Sequence, residues 1–375
     1  MSKLFENSQI NTLELKNHFV RSATWEGMAG SDGSCSPLLI ETMANLAKGG
    51  VGLIISGHSY IQAVGQAGPN QLAINDDKHI PGLRKMTDAV HKEGGKIIVQ
   101  LAHAGCQADT KLSGMEAVGP SVFEVNGNRL CREITHDEIS ETVRLFGEAA
   151  DRAKKAGFDG VQIHAAHGYL FCEFLSPFYN KRTDEYGGSL ENRARIVLES
   201  YRAIRETVGS AFPVLIKINS EDFLENGLTV KETIEVSGML EKEGIDAIEM
   251  SGGTIQSDKK LVPVRAGIDS EEKEVFYREA ATIYKKQINV PLILVGGVRS
   301  YNIAEQLVAD GITDYISLSR PLIREPGLIN RWKSGDHSKA ECISCNACFR
   351  PAMKGEGIYC VVKKKEEEKK QQENT

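Results

Sequence analysis

The chain has 375 residues and a formal net charge of −6, with 41% hydrophobic and 26% charged residues, a composition typical of soluble globular proteins. The acidic balance disfavours a nucleic-acid partner, which requires a concentrated basic face. No apolar run reaches the roughly 18 residues that a membrane span needs, and the N-terminus lacks the apolar core of a signal peptide. We therefore expect a cytoplasmic protein that binds neither nucleic acid nor membrane.

One kind of junction recurs along the chain. At each junction an amphipathic stretch ends in glycine, and a short β-branched or apolar run follows. Glycine adopts the left-handed conformation that closes a helix, and an apolar run after it is typical of a buried parallel strand. The five junctions are Lys48-Gly49-Gly50, Glu93-Gly94-Gly95, Ala156-Gly157, Glu243-Gly244 and Asp310-Gly311.

Three further apolar runs bring the number of predicted strands to eight. Helices are predicted between them, for example after the Ser36-Pro37 pair and after the capping box of Thr135 with Glu138. The strands are predicted at 18–22, 51–55, 96–99, 160–163, 213–218, 247–250, 291–295 and 315–318. This alternation favours an α/β fold of the (β/α)₈ TIM-barrel type. A doubly wound sheet is the alternative, although the chain has no Gly-x-Gly-x-x-Gly run.

The pattern divides the chain into three regions. Residues 1–335 are predicted to form the barrel, and residues 336–362 form a short cysteine-rich extension. Residues 363–375 are almost entirely charged or polar, so we expect a disordered tail there.

The most informative cluster stands at the predicted end of the fourth strand. In such barrels the catalytic groups belong at the C-terminal ends of the strands. His164, His167 and Tyr169 lie within six residues there. Two imidazoles offer hydrogen bonds to an oxyanion, and a phenol offers a proton for acid catalysis. The alternative is that both histidines only satisfy neighbouring groups.

The ends of strands seven and eight indicate a phosphate site. Gly296-Gly297-Val298 exposes backbone N–H groups, and Ser319-Arg320 supplies a hydroxyl and a cation. Barrels of this type often bind phosphate at this position. The alternative is tight packing at the glycines and an ion pair of Arg320.

Lys217 and Gln100, on the fifth and third strands, suit the edge of an amide-rich ring. Together with a phosphate site they indicate flavin mononucleotide (FMN) more readily than a sugar phosphate. A Schiff-base lysine, as in aldolases, is the alternative role of Lys217.

Four stretches of sequence, 15–22, 100–105, 164–170 and 174–193, resemble the Old Yellow Enzyme family of FMN-dependent ene-reductases. The resemblance covers roughly residues 3–335. It implies a TIM barrel with bound FMN, NADH or NADPH as reductant, a small enone-type substrate and a homo-oligomer.

The resemblance also implies a role for each matching residue. The residues implied to border the flavin ring are Ser22, Ala23, Thr24, His58 and Gln100. The residues implied to hold the phosphate are Gly297, Val298, Ser319 and Arg320. Lys217 stands where relatives usually carry arginine beside N1 and O2 of the flavin. His164 and His167 match the pair that binds a carbonyl or nitro group, and Tyr169 matches the proton donor. Trp25 replaces the threonine or cysteine of several relatives, so we expect a narrower pocket.

Four of the eight cysteines crowd together near the C-terminus: Cys342, Cys345, Cys348 and Cys360. In a cytoplasmic protein such spacing predicts a metal centre, and cysteines there are not expected to form disulfides. The segment resembles the one that holds a [4Fe-4S] cluster in 2,4-dienoyl-CoA reductase and trimethylamine dehydrogenase, with one residue fewer between the second and third cysteines. A structural zinc ion and free thiols are the alternatives. A cluster here implies an external electron-donor protein as a partner.

The leading functional hypothesis is therefore reduction of activated C=C bonds by hydride from flavin N5 and a proton from Tyr169. An enoyl- or dienoyl-thioester reductase, an amine dehydrogenase and an electron-transfer subunit with flavin and an iron–sulfur cluster are the alternatives.

Overall fold

The computed structural model describes residues 2–373. Its centre is a closed barrel of eight strands, in which every neighbouring pair is parallel. We number them in chain order: β1 (Phe19–Arg21), β2 (Leu53–Tyr60), β3 (Ile97–Ala102), β4 (Val161–Ala165), β5 (Val214–Asn219), β6 (Ala247–Ser251), β7 (Leu292–Val295) and β8 (Tyr315–Leu318). The barrel closes through pairing of β8 with β1, so the TIM-barrel prediction is confirmed.

Eight helices follow the strands in turn and surround the barrel. They are α1 (Pro37–Lys48), α2 (Ile80–Lys92), α3 (His136–Lys155), α4 (Leu190–Val208), α5 (Val230–Glu243), α6 (Arg278–Gln287), α7 (Tyr301–Ala309) and α8 (Leu328–Lys333). The predicted helix starts are confirmed: the Ser36 side chain accepts a hydrogen bond from Leu39 N–H, and Thr135 and Glu138 form a capping box. No helix of residues 2–373 is long and apolar enough to cross a bilayer.

Strand β2 is longer than predicted. The sequence suggested an end at residue 55, but pairing with β3 resumes after a bulge between Ile55 and His58. A bulge bends a strand without ending it. His58 therefore belongs to a strand of the barrel, opposite Gln100 on β3.

Several shorter strands and helices lie outside the barrel. They are a hairpin of Ser8–Ile10 with Leu13–Leu15, a sheet of Val118–Gly119, Phe123–Val125 and Asn128–Glu133, and short helices at Thr110–Ser113, Leu170–Leu175, Arg320–Arg324 and Phe349–Met353. Asn126 and Gly127, with φ of 51° and 76°, form the turn between the last two strands of that sheet. An Asn-Gly pair favours this kind of hairpin turn.

The expectation that the chain has no disulfide is wrong for one pair of cysteines. Cys106 and Cys131 are bonded to each other, 25 positions apart. The hairpin strand Asn128–Glu133 folds back beside the loop after β3 and brings Cys131 to Cys106. This contact depends on the fold, so compartment and composition did not predict it.

The C-terminal region also differs from the prediction. Val361–Glu373 is a helix with no buried residue, and it includes residues 363–373 of the tail in which we expected disorder. Ion pairs support it, among them Lys369 with Glu373 and Arg324 with Glu366, whose charged atoms lie 3.7 and 2.7 Å apart. Residues 374 and 375 lie outside the described residues.

Candidate active site

A cavity of about 410 Å³ opens at the C-terminal end of the barrel. Most of the predicted site residues line it, so the fold brings them together at one place. Its lining includes Ser22, Ala23, Thr24, Trp25, His58, Gln100, His164, His167, Tyr169, Lys217 and Ser319.

His164 and His167 lie side by side in this cavity, with ring centroids 5.3 Å apart. Burial lowers the pKa of both imidazoles well below 6.5, and Lys217 adds to the shift, so both rings are neutral near pH 7. The Ala166 N–H donates to His164 Nδ1 at 3.4 Å, which leaves Nε2 as the protonated nitrogen. His167 Nε2 lies 2.7 Å from Ser251 Oγ. Each neutral ring thus has one nitrogen anchored by the protein.

Tyr169 packs against the same pair, with its ring centroid 4.7 Å from that of His164. Its hydroxyl oxygen lies 3.4 Å from His58 Nε2. The side-chain oxygen of Gln71 accepts a hydrogen bond from Ala67 N–H at 2.7 Å. Its side-chain nitrogen, Nε2, therefore faces His58 Nδ1, also at 2.7 Å.

This arrangement assigns the tautomer of His58. Burial lowers the pKa of His58 to about 4, so the ring is neutral at pH 7. Because Gln71 donates to Nδ1, the ring proton is on Nε2 and faces the Tyr169 oxygen. The phenolic proton of Tyr169 is then free to point into the cavity.

Lys217 lies at the bottom of the cavity. Its ammonium donates to Ser22 Oγ at 2.8 Å and lies 3.2 Å from a carboxylate oxygen of Glu249. Burial lowers the pKa of Lys217, and Glu249 partly opposes that shift. The cation therefore has a fixed position and a buried counter-charge.

The predicted phosphate residues meet in a second cavity of about 80 Å³, which shares six lining residues with the first, among them Ser251, Val295 and Ser319. Gly297, Val298, Ser319 and Arg320 all line it. Gly297 has a φ of +80°, and a Cβ built there would lie 2.6 Å from the Phe276 ring, so only glycine fits. The Arg320 guanidinium is held by the Arg265 carbonyl and by Asn346.

The four C-terminal cysteines also meet. Cys342, Cys345, Cys348 and Cys360 line one cavity of about 20 Å³, together with Arg320 and Arg324. The Lys363 N–H donates to Cys360 Sγ at 3.5 Å, and Arg324 donates to the same sulfur at 3.8 Å. Donors and cations around the sulfur atoms suit thiolate ligands.

The cysteine segment lies against the active-site cavity. Phe349, the residue after Cys348, lines both the 410 Å³ and the 80 Å³ cavities. Trp25 packs against a small apolar cluster of Cys348, Ala352 and Ile358.

FMN fits the two connected cavities. The Trp25 indole N–H is buried and has no hydrogen-bond partner among residues 2–373, as expected for a donor that meets a ligand. Gln100 and Lys217 face the larger cavity, and the glycine cradle faces the smaller one. A polar ring and a phosphate would therefore both find matching groups.

Four side chains at this site escaped the sequence analysis: Gln71, Gln107, Gln162 and Glu249. Gln107 lines the cavity and donates to the His167 carbonyl at 2.9 Å, which holds the backbone before Tyr169. Gln107 directly follows Cys106, which forms the disulfide. Gln162 and Glu249 interrupt otherwise apolar strands. A polar residue inside a buried strand is the one signal that pointed to the last two.

The chain is similar to known flavin oxidoreductases. The NADH:flavin oxidoreductase / NADH oxidase family matches residues 3–339. Over 350 residues the chain is 37% identical to an NADH oxidase of Thermoanaerobacter brockii, covering 92% of this chain and 52% of that protein. It is 36% identical over 325 residues to an NADPH dehydrogenase of Halalkalibacterium halodurans, covering 86% and 92%. A structure of 2-naphthoyl-CoA reductase with 2-naphthoyl-CoA superposes with a TM-score of 0.89 at 31% identity, covering 96% of this chain and 56% of that chain.

The chain thus spans about half the length of the NADH oxidase and of the 2-naphthoyl-CoA reductase. The family match extends over the whole barrel, including all eight strands and the cluster of His164, His167 and Tyr169. The chain belongs to the NADH:flavin oxidoreductase / NADH oxidase family, the Old Yellow Enzyme family of FMN-dependent oxidoreductases.

Proposed function

We propose that this protein reduces activated C=C bonds of α,β-unsaturated carbonyl compounds with electrons from NADH or NADPH. The observation that carries the proposal is the convergence of His164, His167 and Tyr169 in one cavity. Relatives include a cinnamate reductase of Clostridium sporogenes, 35% identical, and a morphinone reductase, with a TM-score of 0.77. Both names describe reduction, which supports the same chemistry here.

Bound FMN in its reduced state would supply the hydride that the β-carbon of the substrate needs. His164 and His167 bind the substrate oxygen, where negative charge grows as the hydride arrives. Because both rings are neutral, they stabilise this charge by donating hydrogen bonds from fixed positions. Tyr169 gives its proton to the α-carbon, and the N–H of His58 stabilises the oxygen that loses it.

Steady-state turnover tests the proposal. With FMN bound, the protein should oxidise NADH or NADPH faster when cyclohexenone is added, and cyclohexanone should form. Cyclohexanone itself, which has no C=C bond, is the control and should have no effect. A flavin-loaded protein that ignores cyclohexenone but reduces a ferredoxin-like partner would contradict the proposal and favour an electron-transfer subunit.

A thioester reductase is the second candidate, because the match to 2-naphthoyl-CoA reductase covers 96% of the chain. Cinnamoyl-CoA and cinnamaldehyde separate the two candidates. A much larger kcat/KM for the thioester would favour this candidate.

We also propose that the four C-terminal cysteines hold a [4Fe-4S] cluster. All four cysteines line one cavity, so a single centre can bind all of them. Two consecutive Cys-x-x-Cys steps, Cys342 to Cys345 and Cys345 to Cys348, are typical of the ligand runs of iron–sulfur clusters. A structural zinc ion on the four thiolates is the alternative. A histamine dehydrogenase structure, with a TM-score of 0.86, matches 96% of this chain.

Protein purified without oxygen should contain iron and sulfide in equal amounts, about four of each per chain. Cys348→Ser should lose most of this iron, whereas Cys35→Ser, at a cysteine that does not line that cavity, should keep it. One zinc per chain without iron would contradict the cluster assignment. An external electron donor, a cytoplasmic location and a homo-oligomeric state remain predictions from the sequence.

A further inference from the structure

Glu249 lies at the centre of the barrel, on β6, and its side chain is fully buried. Its carboxylate meets four side chains from four other strands or strand ends. The partners are Ser22 Oγ at 2.7 Å, Ser317 Oγ at 2.7 Å, Gln162 Nε2 at 2.9 Å and Lys217 Nζ at 3.2 Å. We call these five residues, with Gln100, the polar layer.

The polar layer fixes the orientation of Gln100. An ionised carboxylate only accepts hydrogen bonds, so Gln162 must turn its amide N–H toward Glu249. The Gln162 oxygen then faces Gln100 and accepts from its Nε2 at 2.7 Å. The oxygen of Gln100 is consequently left for the cavity that Gln100 lines. Glu249 thus determines, through Gln162, which atoms Gln100 presents.

The polar layer also weakens the electric field that Lys217 exerts on a ligand in the cavity. Lys217 lies in the same cavity lining, and its register partner on the neighbouring strand is Glu249 itself. A buried cation next to a carboxylate exerts a weaker field on a third group than an unpaired cation does. A ligand in the cavity therefore experiences only part of the Lys217 charge.

We propose that Glu249 is a positioning residue for the bound flavin: it orients Gln100 through Gln162, and it lowers the flavin reduction potential by offsetting Lys217. The inference rests on the flavin site proposed above. Reduction by two electrons and one proton leaves a negative charge on the flavin ring. An unpaired Lys217 would stabilise that charge, and Glu249 reduces this stabilisation.

The charge part is tested with Glu249→Gln, which keeps the shape and removes the charge. Sulfite adds to oxidised flavin and leaves a negative charge on the ring, so its affinity reports the same field as the potential. We expect sulfite to bind about tenfold more tightly, which corresponds to a rise of about 30 mV in the two-electron potential. Asp246→Asn is the matched control, because Asp246 lies just before β6, at the opposite end of the barrel, bonded to Val214 N–H. It should leave both quantities unchanged.

The orientation part is tested with Gln162→Leu, which interrupts the link to Gln100 and leaves both charges in place. FMN should dissociate about tenfold more readily, with little change in potential. If Glu249→Gln does not fold, Gln162→Leu still tests whether the link from Glu249 to Gln100 positions the flavin. Either of two results would overturn the inference: a flavin-loaded Glu249→Gln whose sulfite affinity is unchanged, or a Gln162→Leu that retains FMN like the wild type. Enone reduction by the wild type would in either case still support the proposed function. Wild-type protein that binds no FMN would instead defeat both.

Discussion

Replacing Tyr169 with phenylalanine should slow enone reduction by about 10²- to 10⁴-fold, the range typical for loss of a general acid. The reduction of the flavin by NADH or NADPH should proceed at nearly the wild-type rate, because that step needs no proton from the phenol. Burial raises the pKa of Tyr169, so the hydroxyl keeps its proton at every ordinary pH and can act as an acid. Stopped-flow absorbance of the flavin separates the two half-reactions.

Tyr179→Phe is the matched control for this experiment. Tyr179 is also buried, but its hydroxyl donates to Thr254 at 3.2 Å and it is absent from the cavity lining. Both half-reactions should stay close to wild type in this variant. An equal loss in both half-reactions of Tyr169→Phe would show that Tyr169 does not act as the proton donor.

His164→Ala should abolish tight binding of phenols, which resemble the enolate that forms on the substrate. The loss of one donor to a developing oxyanion typically costs about 10²- to 10³-fold in rate, so enone reduction should fall by a similar factor. Because His164 is neutral, it binds through Nε2–H and not through a positive charge. Titration with a phenol, followed by the change in the flavin absorption, measures the affinity.

His164→Asn supplies the conservative comparison, since its amide keeps an N–H donor at a similar position. It should recover much of the phenol affinity that alanine loses. Phenol affinity in His164→Ala equal to that of the wild type would show that the carbonyl site lies elsewhere in the cavity.

The sequence predicted those parts of the molecule that depend on local order. Glycine junctions such as Glu243-Gly244 end helices for reasons of backbone conformation, so five of the eight strands could be located from the junctions before them, although the end of β2 could not. Once the fold was a barrel, His164, Lys217 and Ser319 had to converge, because the C-terminal ends of its strands meet at one face.

Pairings between strands could not be predicted in the same way. Glu249 opposes Lys217 only because β5 and β6 pair in one particular register. His58 and Gln100 are opposite each other only because a bulge shifts β2 by the required amount. The disulfide between Cys106 and Cys131 similarly depends on where a hairpin folds. It contradicts the expectation that the cysteines form no disulfide.

The buried pair of Lys217 and Glu249 has a consequence for the evolution of this barrel. Two ionised groups in a protein interior lose their hydration, and apolar side chains of similar volume in their place are typically neutral or stabilising by about 1–4 kcal/mol. Selection for folding stability alone would therefore tend to erase the pair and close the centre of the barrel with aliphatic residues. Folding stability alone therefore gives no reason for an ion pair of Lys217 and Glu249 at this position.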